Sequence, residues 1–498
     1  MNLRLNQADH ATISRLEFVA LAALTALGSL RVLFFSAAFP LFNNVDEQAH
    51  FDLVIRYSHA DPPRRYEPFG PEAAKLIVLY GTLEYFNPPS SVPDGMTPPP
   101  VWWYPEAERR ETVEHDVQFW TSRINHESMQ PPAYYVIAGA WTALGRALGA
   151  TGGGLLYWIR LLSVAVFGST VVLSWWITRR HGPNDLFIRL GVPAMLAFFP
   201  QSVFYGMNND ILSPLLGILV IGLSLDLVRT NEPRRTLVAG VGLSAAAAVL
   251  SKLSNLPLLI FPALVIMARL LKVNAHAGLR RELGRVTALT LCVAAPLGLF
   301  AWHYGRLVMA VSQFSWTAVP FFRRFQHPLF TTNGFGDFMG HLAKTFWRGE
   351  LIWHLQPLAN QYIDQIFCVT SIVFLLAAAT VNWIALRREH KVILCDCACY
   401  VALFASVGYL GYLSISFDFG RWYYPSREFP YFASGRLISS ALVPFVYLYV
   451  RGIDATARAL RRTNWRWAVL IALVSTAVVS EVALSREVVG SAYNWFHI

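Results

Sequence analysis

Charged residues are scarce in this sequence. Asp, Glu, Lys and Arg make up 14% of its 498 residues, whereas about a quarter is usual in soluble domains. The hydrophobic share is 55%, and apolar runs of about 20 residues, the length that crosses a bilayer, recur along most of the chain. The composition excludes a soluble enzyme and predicts an all-α polytopic membrane protein, with residues 1–498 forming a single transmembrane domain.

Cysteine is also scarce, and the positions of the five cysteines exclude a disulfide-stapled ectodomain. All five lie in or beside apolar runs, and none lies in a long polar loop. The formal net charge of +10 comes from short basic clusters between apolar runs, so no basic face for nucleic acid is predicted. Internal repeats and matched pairs of broken segments are absent, which disfavours an inverted-repeat transporter.

The apolar segments predict about eleven transmembrane helices. The first, Leu16 to Phe42, is too long for the apolar core of a cleavable signal peptide and is interpreted as a retained signal anchor. The other ten predicted spans are 158–178, 186–206, 211–228, 236–251, 253–271, 286–304, 364–386, 392–415, 435–450 and 466–484.

Basic clusters in alternate short loops orient these helices by the positive-inside rule. They place the N-terminus in the cytoplasm and the C-terminus outside. The predicted outer loops include 43–157, 305–363 and 416–434, and the first of these is expected to contain interfacial helices.

Pro131 to Leu148 is apolar but short, and counting it as a crossing would put a basic cluster or the first loop on the wrong side of the membrane. We therefore predict that it does not span the membrane.

The first outer loop opens with a polar cluster, Asp46-Glu47-Gln48-Ala49-His50. Asp46 and His50 share one helix face at i, i+4. Carboxylates at a membrane boundary are costly unless they are paired or used in chemistry. The alternative interpretation is a solvated helix N-terminus at which Asp46 and Glu47 favour the helix dipole.

A second polar cluster closes the same loop, where His126 and Glu127 precede Pro131 and Pro132. The two prolines suit the entrance of a helix. The simpler interpretation is that the prolines only mark the start of an interfacial helix, but this does not account for the nearby His126 and Glu127.

The two clusters together resemble the GT-C superfamily, polytopic membrane glycosyltransferases that use polyprenyl-phosphate sugars. Its members typically carry an Asp-Glu pair at the start of the first outer loop and a His- or Glu-x-Pro-Pro-Leu-Tyr-Tyr-like element at its end. The Asp-Glu-x-x-His form seen here is especially similar to a bacterial branch. The matching elements, in chain order, are Asp46-Glu47, His126-Glu127-x-x-Gln130-Pro131-Pro132-Ala133-Tyr134-Tyr135, Arg160-Leu161-Leu162-Ser163, Asn209-Asp210, Leu250-Ser251-Lys252-Leu253-Ser254 and Gly435-Arg436.

This resemblance implies an enzyme of the bacterial inner membrane. It would transfer a sugar from a polyprenyl-phosphate donor to an envelope glycan, lipid or protein on the outer face, with membrane lipid as a further partner. The chain departs from the family pattern at Ala133, where leucine is common, and in a long Pro-rich stretch at 61–105. The alternative class is a transporter or a lipid-binding membrane scaffold without catalysis.

The resemblance also implies roles for individual residues. Asp46 is the candidate general base, because the family places its catalytic carboxylate there and because partial desolvation would raise its basicity. Glu47 is the second candidate for that role. Lys252 and Arg436 are the first candidates for binding the donor phosphate. Arg421 and Arg427 are second candidates, which could instead snorkel or pair with neighbouring carboxylates.

Four further residues are candidates for an acceptor site, a metal site or a supporting shell: His50, His126, Glu127 and Asp210. Asp210 is expected either to pair with a phosphate-binding cation or to serve as a turn residue. Asp46, His126 and Glu127 are ordinary ligands for a divalent metal, but their spacing fixes no geometry and some GT-C members work without metal. The sequence therefore leaves metal dependence open and names no cofactor.

Overall fold

The fold is known from a computed structural model that describes residues 14–42, 46–92, 97–271, 276–308, 317–385, 390–418 and 430–498. The protein is an all-α polytopic membrane protein, as predicted. Nine helical segments among the described residues are long and apolar enough to cross a bilayer, and two shorter apolar helices accompany them. Three of the nine include an adjoining 3₁₀ segment, as in Leu253–Leu271. These eleven coincide with the eleven predicted segments.

The described α-helices are α1 Arg15–Ala38, α2 Glu47–Ser58, α3 Pro71–Tyr80, α4 Glu106–Thr121, α5 Ala133–Ala147, α6 Gly152–His181, α7 Leu186–Ala197, α8 Leu212–Arg229, α9 Arg235–Ser251, α10 Ile260–Leu271, α11 His276–Val308, α12 Phe321–Arg324, α13 Thr332–Arg348, α14 Gln361–Ala385, α15 His390–Ser416, α16 Leu442–Ala459, α17 Trp465–Leu484 and α18 Arg486–Val489. The strands form two antiparallel pairs: β1 Thr317–Ala318 with β4 Phe417–Asp418, and β2 Ile352–Trp353 with β3 Gln356–Pro357.

The predicted span 186–206 is longer than the helix that forms there. Helix α7 ends at Ala197, and Phe198 is its C-cap. Pro200 follows two residues later, and a proline disfavours helical backbone in the residue before it. The chain then forms a 3₁₀ turn at Ser202–Tyr205, so the helical part of this segment has only 12 residues.

Helices α1 and α6 run antiparallel, which defines the two ends of the bundle. Arg160, near the start of α6, donates a hydrogen bond to the Phe39 carbonyl just beyond the end of α1. Trp175, near the end of α6, donates to Glu17 near the start of α1. We call the end at which α1 finishes the upper end and the opposite end the lower end.

Helix α5 begins and ends at the upper end of the bundle. The residues before it are there because His126 contacts Asp46 just after α1, and the residues after it are there because α6 starts at this end. Its 15 residues extend about 22 Å, less than the bilayer core. The structure therefore agrees with the prediction that this segment does not cross the membrane.

The first loop folds onto the upper end as a set of short helices. Helices α2 and α5 pack closely, because a Cβ at Gly139 of α5 would lie only 2.8 Å from the backbone of Tyr57 in α2. The C-terminal tail reaches the same loop, where Trp102 donates a hydrogen bond to the His497 carbonyl. The described chain thus begins at the lower end and finishes at the upper end.

Charged side chains inside the bundle are paired. Arg31 of α1 contacts Glu481 of α17 at 2.9 Å and donates to the Tyr205 hydroxyl. Each of these side chains is almost fully buried. Such pairs connect helices distant in sequence within an apolar environment, where an unpaired charge would be costly.

Candidate active site

Asp46 lies at the junction between α1 and α2, at the upper end. Its backbone is in the left-handed region, with φ of 62°, a conformation that aspartate tolerates better than most residues. One carboxylate oxygen lies 3.2 Å from Nε2 of His126, and the other accepts a 2.8 Å hydrogen bond from Arg436. The first-loop carboxylate is therefore joined to the end of that loop and to a late helix.

Arg436 is surrounded by three carboxylates. Its guanidinium nitrogens lie 2.8 Å from Asp46, 3.2 Å from Glu350 and 3.5 Å from Asp210. Arg436 belongs to the 3₁₀ segment Gly435–Ala441, which precedes α16. Sequence reasoning missed Glu350, because the only sequence signal was its position in an outer loop.

Asp210 links the two cations of the site. It is fully buried, contacts Arg436, and lies 2.5 Å from the ammonium nitrogen of Lys252. Lys252 follows α9 directly and is itself buried. Burial lowers the pKa of Lys252, and the charge of Asp210 opposes this shift. Of the two expectations for Asp210, these contacts favour a partner of the candidate phosphate-binding cations.

Glu47 does not join this cluster, although it is the neighbour of Asp46. Its carboxylate forms two 2.8 Å hydrogen bonds with Arg160 of α6 and accepts a third from the Met207 backbone. Neither side chain of the pair is exposed by more than 1%. Asp46 is the left-handed N-cap of α2, whereas Glu47 is the first residue of the helix. The two side chains therefore leave the backbone in different directions, and one contacts the site cluster while the other anchors α2 to the bundle.

His50 lies one helical turn beyond Asp46 and is buried. Its Nδ1 is 2.7 Å from the Tyr135 hydroxyl, whereas Nε2 has no hydrogen-bond partner among the described residues. Burial lowers the pKa of His50 well below its ordinary value, although the charge of Asp46 acts in the opposite direction. The imidazole therefore keeps Nε2 as a polar atom without a hydrogen-bond partner in the described structure.

Asp46, His126 and Glu127 form a trio that could hold a metal ion. One donor atom from each lies within 4.8 Å of the other two. The second oxygen of Glu127 is buried without a hydrogen-bond partner in the described structure. Carboxylate and imidazole donors in this arrangement suit a divalent ion such as Mn²⁺ or Zn²⁺.

The protonation of this trio is set by mutual contacts. Burial would raise the pKa of Asp46, but the hydrogen bond to His126 and the charge of Arg436 outweigh it and hold that pKa below its ordinary value. The expectation that desolvation makes Asp46 more basic is therefore wrong for this arrangement. Burial and the charge of Asp46 raise the pKa of Glu127. Burial would lower the pKa of His126, but its contacts with Asp46 and Glu127 raise it.

The structure brings together six of the predicted residues, and His50 lies beside them. The six are Asp46, His126, Glu127, Asp210, Lys252 and Arg436. Glu47 is held apart by Arg160. Arg421 and Arg427 lie outside the described residues.

Acidic side chains outnumber basic side chains in this cluster. Asp46, Glu127, Asp210 and Glu350 supply four carboxyl groups, and Lys252, Arg436 and His126 supply the basic groups. A phosphate group that approaches Arg436 would therefore meet carboxyl groups as well as cations.

Comparisons with known proteins leave the family open. No family model and no curated protein matches the sequence. Among solved structures, the chain is similar to the archaeal oligosaccharyltransferase AglB from Archaeoglobus fulgidus, which was solved with an inhibitory peptide and a dolichol-phosphate. The identity is 11%, the TM-score is 0.43, and the match covers 96% of this chain and 56% of that chain. The chain thus spans just over half the length of that protein, and a likeness this distant does not assign an activity.

Proposed function

We propose that this protein is a GT-C-type membrane glycosyltransferase of the bacterial inner membrane. It transfers a sugar from a polyprenyl-phosphate donor to an envelope acceptor at the upper end of the bundle, which is the extracytoplasmic face. The observation that supports this most is the convergence of the cluster residues, contributed by six separate segments of the chain, at one end of an apolar bundle. Polar groups in such a setting are costly and mark functional sites.

Arg436 and Lys252 bind the donor phosphate in this proposal. Guanidinium groups bind phosphate through paired hydrogen bonds, whereas an ammonium acts as a point charge. In the described structure Arg436 is engaged by Asp46, Asp210 and Glu350. A donor phosphate would therefore compete with these carboxylates for Arg436.

Release of Asp46 from Arg436 by the donor phosphate would activate Asp46 as the base. Arg436 lowers the pKa of Asp46 as long as the two are paired, and a phosphate on Arg436 weakens this effect. Asp46 then accepts the proton of the acceptor hydroxyl. The hydroxyl oxygen bonds to the anomeric carbon of the sugar, and the bond from that carbon to the phosphate oxygen breaks with its electron pair going to the lipid phosphate.

A divalent cation fits this site. Asp46, His126 and Glu127 would hold it, and Glu127 has a buried oxygen without a hydrogen-bond partner in the described structure. When bound, such an ion supplies the positive charge that offsets the excess of carboxylates and stabilises the departing phosphate.

An apolar groove supports the lipid part of the donor. It has a volume of about 930 Å³ and lies between α1, α6 and α8. It extends from Trp158, near the upper end of α6, to Thr25 in the middle of α1. Such a groove in the side of the bundle suits a polyprenyl chain that remains in the membrane while its phosphate reaches the site.

The proposal is tested with purified protein in nanodiscs, radiolabelled polyprenyl-phosphate sugars and a panel of envelope acceptors. Wild-type protein should transfer label, and Asp46→Asn should lose about 10²–10⁴-fold in rate. Asp61→Asn is the matched control, because Asp61 is an exposed carboxylate of the same loop. Absence of transfer across a broad donor panel would contradict the proposal and favour a transporter or a lipid-binding scaffold.

A further inference from the structure

A second charged feature lies at the lower end of the bundle, between α9 and α11. It is a pocket of about 790 Å³ whose polar rim consists of Arg234, Arg235, Arg281 and Arg285. Helix α9 has 17 residues, so its start lies about 26 Å from Lys252 at the other end. The pocket is therefore separate from the candidate active site and has no role in the chemistry proposed there.

The arginines of this rim are incompletely neutralised. Arg281 contacts Glu232 at 3.1 Å, but both side chains are more than 60% exposed, and Arg285 pairs with Glu282. Within the described part of the chain, Arg234 and Arg235 have no ion pair. The pocket thus presents an excess of positive charge that suits an anion.

The deeper walls of the pocket are apolar. They are formed by Val238 and Ala239 of α9 and by Ala288 and Cys292 of α11. The two helices touch above this point, toward the upper end, because a Cβ at Gly242 would lie 2.4 Å from the Cβ of Cys292. The pocket is therefore a wedge with a basic mouth and an apolar floor.

Helix α11 continues the apolar surface along the bilayer. Leu283, Leu291 and Leu299 are 46%, 58% and 69% exposed, and only 6% of the apolar part of the helix is buried in the bundle. An occupant of the pocket can therefore place its anionic group at the mouth while its apolar portion lies against α11. Inorganic phosphate would use only the mouth.

We propose that this wedge binds the headgroup of an anionic phospholipid from the lower leaflet, with its phosphate on Arg234, Arg235, Arg281 and Arg285. Basic pockets between helices at a membrane surface bind such headgroups, and each nearby arginine strengthens binding. The charge of the rim and the apolar floor together match an anionic lipid better than a zwitterionic lipid or a soluble anion. This proposal does not depend on the proposed glycosyl transfer.

The first test measures phosphatidylglycerol binding to the purified full-length protein by native mass spectrometry. The double variant Arg234→Gln/Arg235→Gln should bind this lipid about tenfold to thirtyfold more weakly than wild type. The matched control, Arg461→Gln/Arg462→Gln, removes two exposed arginines that follow α16 at the same end and should stay within about twofold of wild type. Equal losses in both variants would overturn the proposal, since they would indicate a general surface-charge effect.

The second test uses the wild-type pocket and one reporter cysteine. In a variant that retains only Cys292, phosphatidylglycerol should slow maleimide modification, whereas phosphatidylcholine should not. Excess inorganic phosphate should leave this protection intact. Equal protection by both lipids, absence of protection, or release of the lipid by phosphate would each contradict a specific anionic-lipid site.

Discussion

Replacing Glu47 with glutamine should destabilise the protein by about 3 kcal/mol, because breaking one side of a buried ion pair costs about 3–5 kcal/mol. Glu47 and Arg160 are exposed by at most 1% and share two 2.8 Å hydrogen bonds. Arg160 would remain charged and buried. We expect the lower part of the range, because its guanidinium also donates to the carbonyls of Ser36, Phe39 and Pro40.

The free energy of unfolding in detergent micelles, measured by denaturant titration, provides the assay. The matched control is Glu72→Gln, which breaks a pair with Arg146 in which Glu72 is 46% exposed. That change should cost about 0–1 kcal/mol. A double variant, Glu47→Gln/Arg160→Gln, should be less destabilised than the sum of its single changes, because neither partner then leaves an unpaired buried charge.

The opposite pattern would refute this reasoning. If Glu47→Gln unfolds at the same denaturant concentration as Glu72→Gln yet abolishes sugar transfer, Glu47 acts in the chemistry and its pairing with Arg160 is not its main role. The assignment of Asp46 as the base would then fail together with the structural role of Glu47.

Three further predictions concern the site. Asp46→Asn should lower the transfer rate by about 10²–10⁴-fold with donor affinity nearly unchanged; a parallel loss of donor binding would contradict the role of base. Arg436→Ala should weaken donor binding about tenfold or more, because the lipid phosphate is charged before reaction; an unchanged donor Kd would place the phosphate elsewhere. His126→Gln and Glu127→Gln should each weaken Mn²⁺ binding to the donor-free protein about tenfold or more, as measured by calorimetry, whereas Asp61→Asn should leave it unaltered.

Local patterns were enough to predict where the apolar helices lie. The length of an apolar run depends on neighbouring residues alone, and the eleven apolar helices among the described residues overlap the segments that hydropathy predicted. The non-crossing α5 also followed from short length and charge placement. The prediction for α7 was wrong in its length. The apolar run continues to residue 206, but the helix ends at Ala197. Hydropathy does not distinguish a helix from a buried non-helical turn.

The sequence by itself supplied the fold class and most of the site residues, but it did not supply their partners. Asp46 and Glu47 are adjacent and chemically alike, and only the direction of each side chain in the folded bundle separates a site carboxylate from a buried anchor of Arg160. The position of Glu350 in a predicted outer loop did not reveal its contact, because its partner Arg436 lies 86 positions away. Long-range ion pairing depends on how the helices pack, and this is why the tertiary structure alone decided the electrostatics of the site.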